Sequence, residues 1–594
     1  MTQPPPPPNQ PPGPPPGGFG APQDPPPGGF GAPTPPPAQP PYGYPQQPPV
    51  QPPGQQPPYA YPQQPATQPM QPMQQPYGYP PQQPAQPGPY APHYPQTPPP
   101  AAGGGKKLSA QLQIVIAAVV AVALLIGGGL WYANSGGGEE GTDAKGSSGA
   151  AVGGKDGGAS GLGGGGKEKV PANTKARMAF QLPTPVVPDV TDVSGSWVTD
   201  KAFVKAGLNS VVAYDLDKGT VLWTLPLTGQ VCGASRHMTA DHKVPILFEA
   251  AKRVPPRYFQ QCTEVGLLDL AAGKLVWSTS VTGGTAGDKK VAFAEITVHG
   301  QTVAAGGMDG GAAFDLANGN PRWKPQANAG DCEDLGYGGG EGGLVAVRKC
   351  GSYDDPTVTI QNLNPTTGAP ISQYKMPPGV DYAAVVSTKP LVVAADVADA
   401  AGDGSGISDF FSIDEKTGRL KAKITADSDR YAARCRSTKV EACTGALVGN
   451  GRLYLPTEEH EGSTGEYGDE TNEIVAFDLA NGNPVPEKAD AGDRWNLVPL
   501  RMDGGNIIAY KWPPYDKGGQ VVSIDGGTMK STLLMENPSD KPNRDAETSF
   551  SLSGAEYRYA NGRLFISEML LSKSRTDSSS TFKKYLVVAF STAG

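Results

Sequence analysis

The sequence predicts an all-β fold: an eight-bladed β-propeller of four-stranded antiparallel blades, with seven blades as the alternative count. A disordered arm and one transmembrane helix precede it. Three observations predict the ring. A short motif recurs eight times between residues 170 and 594. Its copies lie about 54 residues apart, and each period holds several short strand-like runs, which is a propeller-blade period. The two ends of the region are also complementary, because the last copy lacks an outer strand and the first carries a spare one.

Residues 1–105 form the arm. Of the 66 prolines in the chain, 42 lie in the first 100 residues. Proline at that density removes backbone donors and forbids helix. The aromatics are isolated, so no core offsets the entropy of ordering. The units PPPGGFGAP, YPQQP and PYGYP each occur twice. The arm reads as a solvated cytoplasmic spacer with polyproline II bias, or as a docking arm for a cytoplasmic partner through Tyr42, Tyr44, Tyr77 and Tyr79.

The transmembrane helix is expected over residues 108–132. Leu112 to Tyr132 is an apolar run without a charge, long enough for the ~30 Å hydrocarbon core. Lys106 and Lys107 precede it and Glu139 and Glu140 follow, which places the N-terminus inside and the large C-terminal part outside. Residues 133–170 read as a flexible linker; 15 of the 34 residues from Ala133 to Gly166 are glycine.

The propeller is expected over 171–594. Its motif is an apolar strand, an Asp, four residues to a Gly and four more to a Trp. The full form stands at Asp215, Gly219 and Trp223, at Asp269, Gly273 and Trp277, and at Asp315, Gly319 and Trp323. Weaker copies carry Asn364, Asp414, Asp478, Asp525 and Ser591 at the Asp position. The Asp side chain and a Gly at positive φ make a tight turn between third and fourth strands. The Trp supplies an apolar face between neighbouring blades. His299-Gly300, Asn450-Gly451 and Asn561-Gly562 mark turns between first and second strands. The strand 176–183, with Phe180 at the Trp position, is expected to complete the last blade and close the ring, which removes two exposed sheet edges.

The pattern at Ala213, Asp215, Gly219 and Trp223 resembles the pyrroloquinoline-quinone-type propeller repeat. That resemblance spans about 176–594 and implies the propeller fold. The family includes quinoprotein dehydrogenases and the non-enzymatic propeller of outer-membrane assembly. Later blades depart from the pattern, with Ser372, Ala422 and Pro486 where the Trp would stand. The whole chain also resembles single-pass envelope proteins of Gram-positive bacteria.

All six cysteines, Cys232, Cys262, Cys332, Cys350, Cys435 and Cys443, follow the apolar run, which suggests structural disulfides on the exported side. Fifteen pairings exist. Locality favours 232–262, 332–350 and 435–443, with Cys232, Cys332 and Cys443 each opening an inner strand. No metal motif occurs, and His237, His242, His299 and His460 read as surface or turn residues. Two acidic clusters, Asp396–Asp409 and Glu458–Glu473, read as solvated loops without calcium spacing.

The long connections between second and third strands emerge on one face of the ring. Tyr258, Phe259, Tyr353, Trp512 and Tyr515 lie in or beside them and form the candidate binding face. A net charge of −8 argues against a nucleic-acid partner. The expected function is therefore a non-catalytic, membrane-tethered extracytoplasmic scaffold for a protein or envelope ligand, with no cofactor, metal or catalytic residue assigned. The alternatives are a quinone-dependent dehydrogenase, which the family resemblance raises, and a ligand-sensing ectodomain acting through a cytoplasmic partner.

Overall fold

The structure is a computed structural model. It describes residues 166–593 apart from 257, 327–330, 353–354, 403–405, 437 and 574–582. The expected arm, the expected helix at 108–132 and most of the expected linker lie outside these residues. Among the described residues no helix is long and apolar enough to cross a membrane.

Eight four-stranded antiparallel sheets follow one another along the chain. Blade 1 is Ser196–Val198, Ala202–Gly207, Ser210–Asp215 and Val221–Pro226, from the innermost strand outward. Blades 2 to 7 repeat this meander, with inner strands Val231–Ala234, Glu295–His299, Cys332–Gly338, Ala383–Thr388, Leu447–Gly449 and Asn496–Asp503. Blade 8 takes Ala555–Ala560, Arg563–Glu568 and Tyr585–Ser591 from the C-terminal end and Arg177–Pro183 from the N-terminal end. The ring is therefore closed by a strand from each terminus, and the blade count is eight.

Burial follows position in the blade. Second strands such as Leu391–Ala395 are buried throughout, because sheets pack on both of their faces. Outer strands such as Val221–Pro226 are exposed at alternate positions or more. The apolar residues gather into clusters between neighbouring blades, for example Trp197, Val204, Val211, Ile246 and Leu268 between blades 1 and 2.

The turn between third and fourth strands has one construction. The Asp215 carboxylate accepts the N–H groups of Asp217 and Lys218 at 3.0 and 2.9 Å. The Gly219 N–H closes the turn on the Asp215 carbonyl, with Gly219 at φ +64°. Asn364, Asp414, Asp478 and Asp525 accept equivalent N–H pairs. In blades 1 to 4 this glycine also receives an aromatic from the outer strand of the preceding blade. A Cβ on Gly273 would come within 2.7 Å of the Trp223 ring, and one on Gly319 within 2.7 Å of Trp277. The same seat on Gly219 is filled by Phe180 of the N-terminal strand.

The seam between blades 8 and 1 is dense. Phe203 and Phe565 stack at 4.5 Å. Arg563 forks onto the Asp217 carboxylate at 2.8 and 2.7 Å. Lys205, buried in blade 1, donates to Glu556 of blade 8 at 2.8 Å and to the Val193 carbonyl at 2.7 Å. Glu168, in the stretch expected to be linker, is also fixed: it accepts from Arg501 of blade 7 and from the Asn561 N–H of blade 8.

Three short elements lie outside the blades. Thr191–Asp192 pairs with Leu570–Leu571. A helix, Lys541–Glu547, sits between blades 7 and 8 with Asp540 as its N-cap. A hairpin, Arg434–Cys435 with Cys443–Thr444, lies between blades 5 and 6. Cys443 was expected to open an inner strand; it sits instead in this inserted hairpin, and the inner strand of blade 6 starts at Leu447. The three disulfides are Cys232–Cys262, Cys332–Cys350 and Cys435–Cys443.

Two stability outcomes are expected. Phe180→Ala empties the seat on Gly219 and should lower unfolding free energy by about 3–5 kcal/mol in a urea titration, whereas exposed Val186→Ala should change it by less than about 0.5 kcal/mol. Glu556→Gln leaves the Lys205 ammonium buried without its counter-charge and should cost about 3–5 kcal/mol in the same titration.

Candidate functional site

Strand direction alternates within each blade. The connections between second and third strands therefore share one face of the ring with the connections between blades, and the other face carries short turns, the 235–242 loop of blade 2 and the Gly-rich loop after Gly338. The longer loops on the first face are 249–263 of blade 2, 396–408 of blade 5, 457–472 of blade 6 and 569–584 of blade 8.

The residues expected on this face are placed unequally. Phe259 is 72% exposed and Tyr515 is 82% exposed, the latter under the Arg494 guanidinium at 5.1 Å. Tyr258 is half-buried. Trp512 ends a strand and packs edge-on to Tyr510 against the cluster between blades 7 and 8, so it is partly a core residue. Tyr353 lies outside the described residues. The structure adds Val186, Val190, Val254 and Leu570, all exposed, and Tyr467 at the tip of the blade 6 loop. Val190, Val254 and Leu570 belong to one tied unit. The Arg253 guanidinium donates to the Val190 carbonyl at 3.1 Å and pairs with buried Glu249. The strand after Val190 is hydrogen-bonded to Leu570–Leu571. The sequence reading counted aromatics in long loops and so passed over these aliphatic residues in the 184–195 connection.

The acidic clusters are engaged internally. Asp469 accepts from Gly462, Thr464 and Gly465 and shapes the blade 6 loop. Glu473 binds Lys488 and His460, and buried Asp409 accepts from Ser408 and Thr425. Among the described residues no group of His, Cys, Asp and Glu is arranged to hold a metal ion.

The second region is the axis. The hairpin closed by Cys435–Cys443 sends Val440 and Glu441 against the inner strands of several blades. The Val385 N–H of blade 5 donates to the Val440 carbonyl at 2.7 Å. Glu295, at the start of blade 3, accepts the N–H groups of Val440 and of Glu441, the latter at 2.8 Å. The Glu441 carboxylate takes His237 Nε2 of blade 2 at 2.7 Å and the Gly339 N–H of blade 4 at 2.9 Å. His237 is therefore a clamp on this loop rather than a plain surface residue. A spacing of 204 residues between His237 and Glu441 left no local pattern from which to read the pair.

Burial pushes the Glu295 carboxyl up to about 7, against the two N–H groups that favour its charge. The folded state thus holds this proton more tightly than the unfolded chain does. Its contribution to stability is complete below about pH 4.5 and is lost as pH rises through about 7. At about 1.4 kcal/mol per pH unit, wild type should lose up to about 3 kcal/mol more than Glu295→Gln between pH 4.5 and 7.5. Urea titrations of both proteins at the two pH values check this; equal losses would contradict it.

The family comparison agrees with the ring. A family model described as outer membrane protein assembly factor BamB matches residues 200–348 and 263–511. Among solved structures, BamB from Moraxella catarrhalis is similar at 13% identity over 68% of this chain and 99% of that chain, with a TM-score of 0.33. Hsv2p from Kluyveromyces lactis is similar at 9% identity over 58% and 97%, with a TM-score of 0.33. The dihydro-heme d1 dehydrogenase NirN is similar at 13% identity over 63% and 76%, with a TM-score of 0.35. No curated protein matches the chain. The two family matches together cover more than half of the sequence, and the chain belongs to the PQQ-like, BamB-type propeller repeat family.

Proposed function

We propose that the chain is a membrane-tethered, non-catalytic recognition propeller that binds a protein of the cell envelope through its long-loop face. The observation that carries this reading is the set of exposed apolar residues Val190, Val254, Phe259 and Leu570 on loops held to one another by backbone pairing and by Arg253. Exposed apolar side chains on a rigid base mark interaction surfaces. The family match supports a scaffold role, because its description names an assembly factor. The filled axis supports a binding role over quinone chemistry, since Val440 and Glu441 stand where a cofactor in the funnel would need room. The apolar run from Leu112 to Tyr132 and the lysines before it support the tether and an orientation with the propeller outside the cytoplasmic membrane.

The test compares wild type with Val190→Asp/Val254→Asp/Phe259→Asp, each expressed as the full chain and crosslinked in intact cells. The variant should melt within a few degrees of wild type and lose at least about ten-fold of its crosslinked envelope protein, as expected when apolar anchors become charged. Equal crosslinking by both would refute the assignment of this face.

A further inference from the structure

We propose that the axis contains a receptor site for an extended peptide with a branched apolar residue followed by a carboxylate residue, and that Val440–Glu441 occupies it in cis. This site is separate from the long-loop face. The loop is bound as a peptide ligand would be bound. Its main chain is read at four points by residues of other blades: the Val440 carbonyl by the Val385 N–H, both N–H groups by the single carboxylate of Glu295, and the Glu441 carbonyl by Arg236 at 3.3 Å. Main-chain bonds to an unpaired strand edge with side-chain pockets beside them are the general means of recognising extended peptides.

Each side chain has its own pocket. Val440 is 3% exposed and packs with Val385 and Leu335. Gly336 makes its space, because a Cβ there would lie 2.8 Å from a Val440 methyl. Glu441 is held by His237 and the Gly339 N–H, both on the same oxygen. The site also continues past the loop. A cavity of about 180 Å³ lies beyond Glu441, lined by Arg236, Lys389 and Gly340. The loop turns back to Cys443 and leaves this volume unused, whereas a peptide in trans has further residues to place there.

The occupant is not part of any blade. It is inserted between blades 5 and 6 and clasped by a disulfide that spans a sequence separation of 8. Tethering in this way sets an effective concentration in the millimolar range, which excludes a peptide of ordinary affinity. Loss of the clasp and of the two side chains lowers that barrier.

The probe is a fluorescent, end-capped peptide Lys-Val-Glu-Ala, titrated by anisotropy into the full chain and into a full-chain variant carrying Cys435→Ser, Cys443→Ser, Val440→Gly and Glu441→Gly. The expected result is binding at least ten-fold tighter to the variant than to wild type, lost again with a peptide whose glutamate is replaced by lysine. A variant that melts as a folded protein and binds neither peptide, or both equally, overturns the proposal and leaves the loop as a structural plug. Should that variant not fold, Cys435→Ser/Cys443→Ser alone is photolabelled with the same peptide carrying a photoreactive group at the valine. Labels on 332–338 or 383–388 above the wild-type level are expected, and their absence overturns the proposal.

Discussion

A ring of sheets is held by its seams, and the seam that every other one relies on is the one at blade 8, where Arg177–Pro183 pairs with Tyr585–Ser591 and seats Phe180 on Gly219. Phe180, Trp223, Trp277 and Trp323 of four outer strands lie over the glycine turns Gly219, Gly273, Gly319 and Gly368 of the blades that follow. The strand that carries Phe180 also pairs with the C-terminal strand, Arg177 opposite Ser591, so its docking carries the full entropy of closing the ring. The protein reinforces it accordingly, with a stacked Phe203–Phe565 pair, a forked Arg563–Asp217 bond and the buried Lys205–Glu556 pair. Without this seam, blades 1 and 8 would each present a buried face to water, and two strands would offer open edges.

Closure solves the outer edges and leaves the inner ones. The innermost strand of every blade turns an unpaired edge toward the axis, and buried main-chain groups there require partners. On one side of the ring the partners are side chains. Arg501 of blade 7 bonds the Tyr559 carbonyl, Arg558 of blade 8 bonds the Ser196 carbonyl, and Glu556 accepts the Gly195 N–H. At blades 4 and 5 the partners are Glu441, which accepts the Gly339 N–H, and Val440, whose carbonyl accepts the Val385 N–H. These groups are satisfied by different means: fixed side chains around blades 7, 8 and 1, and a covalently clasped loop at blades 4 and 5. Only the second arrangement has an occupant that is exchangeable in principle without dismantling a blade.

The difference explains what was legible in the sequence. The repeating parts were legible because their physics is local. The Asp215-to-Gly219 turn needs its residues within five positions, and the spare strand at 176–183 carries the same apolar pattern as the strand it replaces. The disulfides at 232–262 and 332–350 sit within single blades and follow from short separations. The inserted hairpin was visible only as an interval, the 64 residues between Asp414 and Asp478 against 46 to 54 in the four intervals before it. Its direction was not visible, and Cys443 was accordingly placed in an inner strand. Nothing periodic links Glu295 to Val440 or His237 to Glu441, since the contacts run across the ring. Trp512 was read as a binding-face aromatic because it lies beside a long connection, but its ring turns back onto Tyr510.

The N-terminal segment connects these two themes. Glu168 bonds Arg501, the Asp503 side chain and the Asn561 N–H, and the last two belong to turns between first and second strands. Those turns lie on the short-turn face. Glu168 is therefore anchored at short turns, and Ala176 then bonds Glu536 at the end of the outer strand of blade 7 before the chain enters blade 8. The same topology puts the plug's clasp, Cys435–Cys443, on the long-loop face, while its tip reaches Gly339 at the opposite end of the axis. A ligand on the long-loop face would then meet the base of the loop that fills the axis, which gives the two sites a physical means of contact through one hairpin.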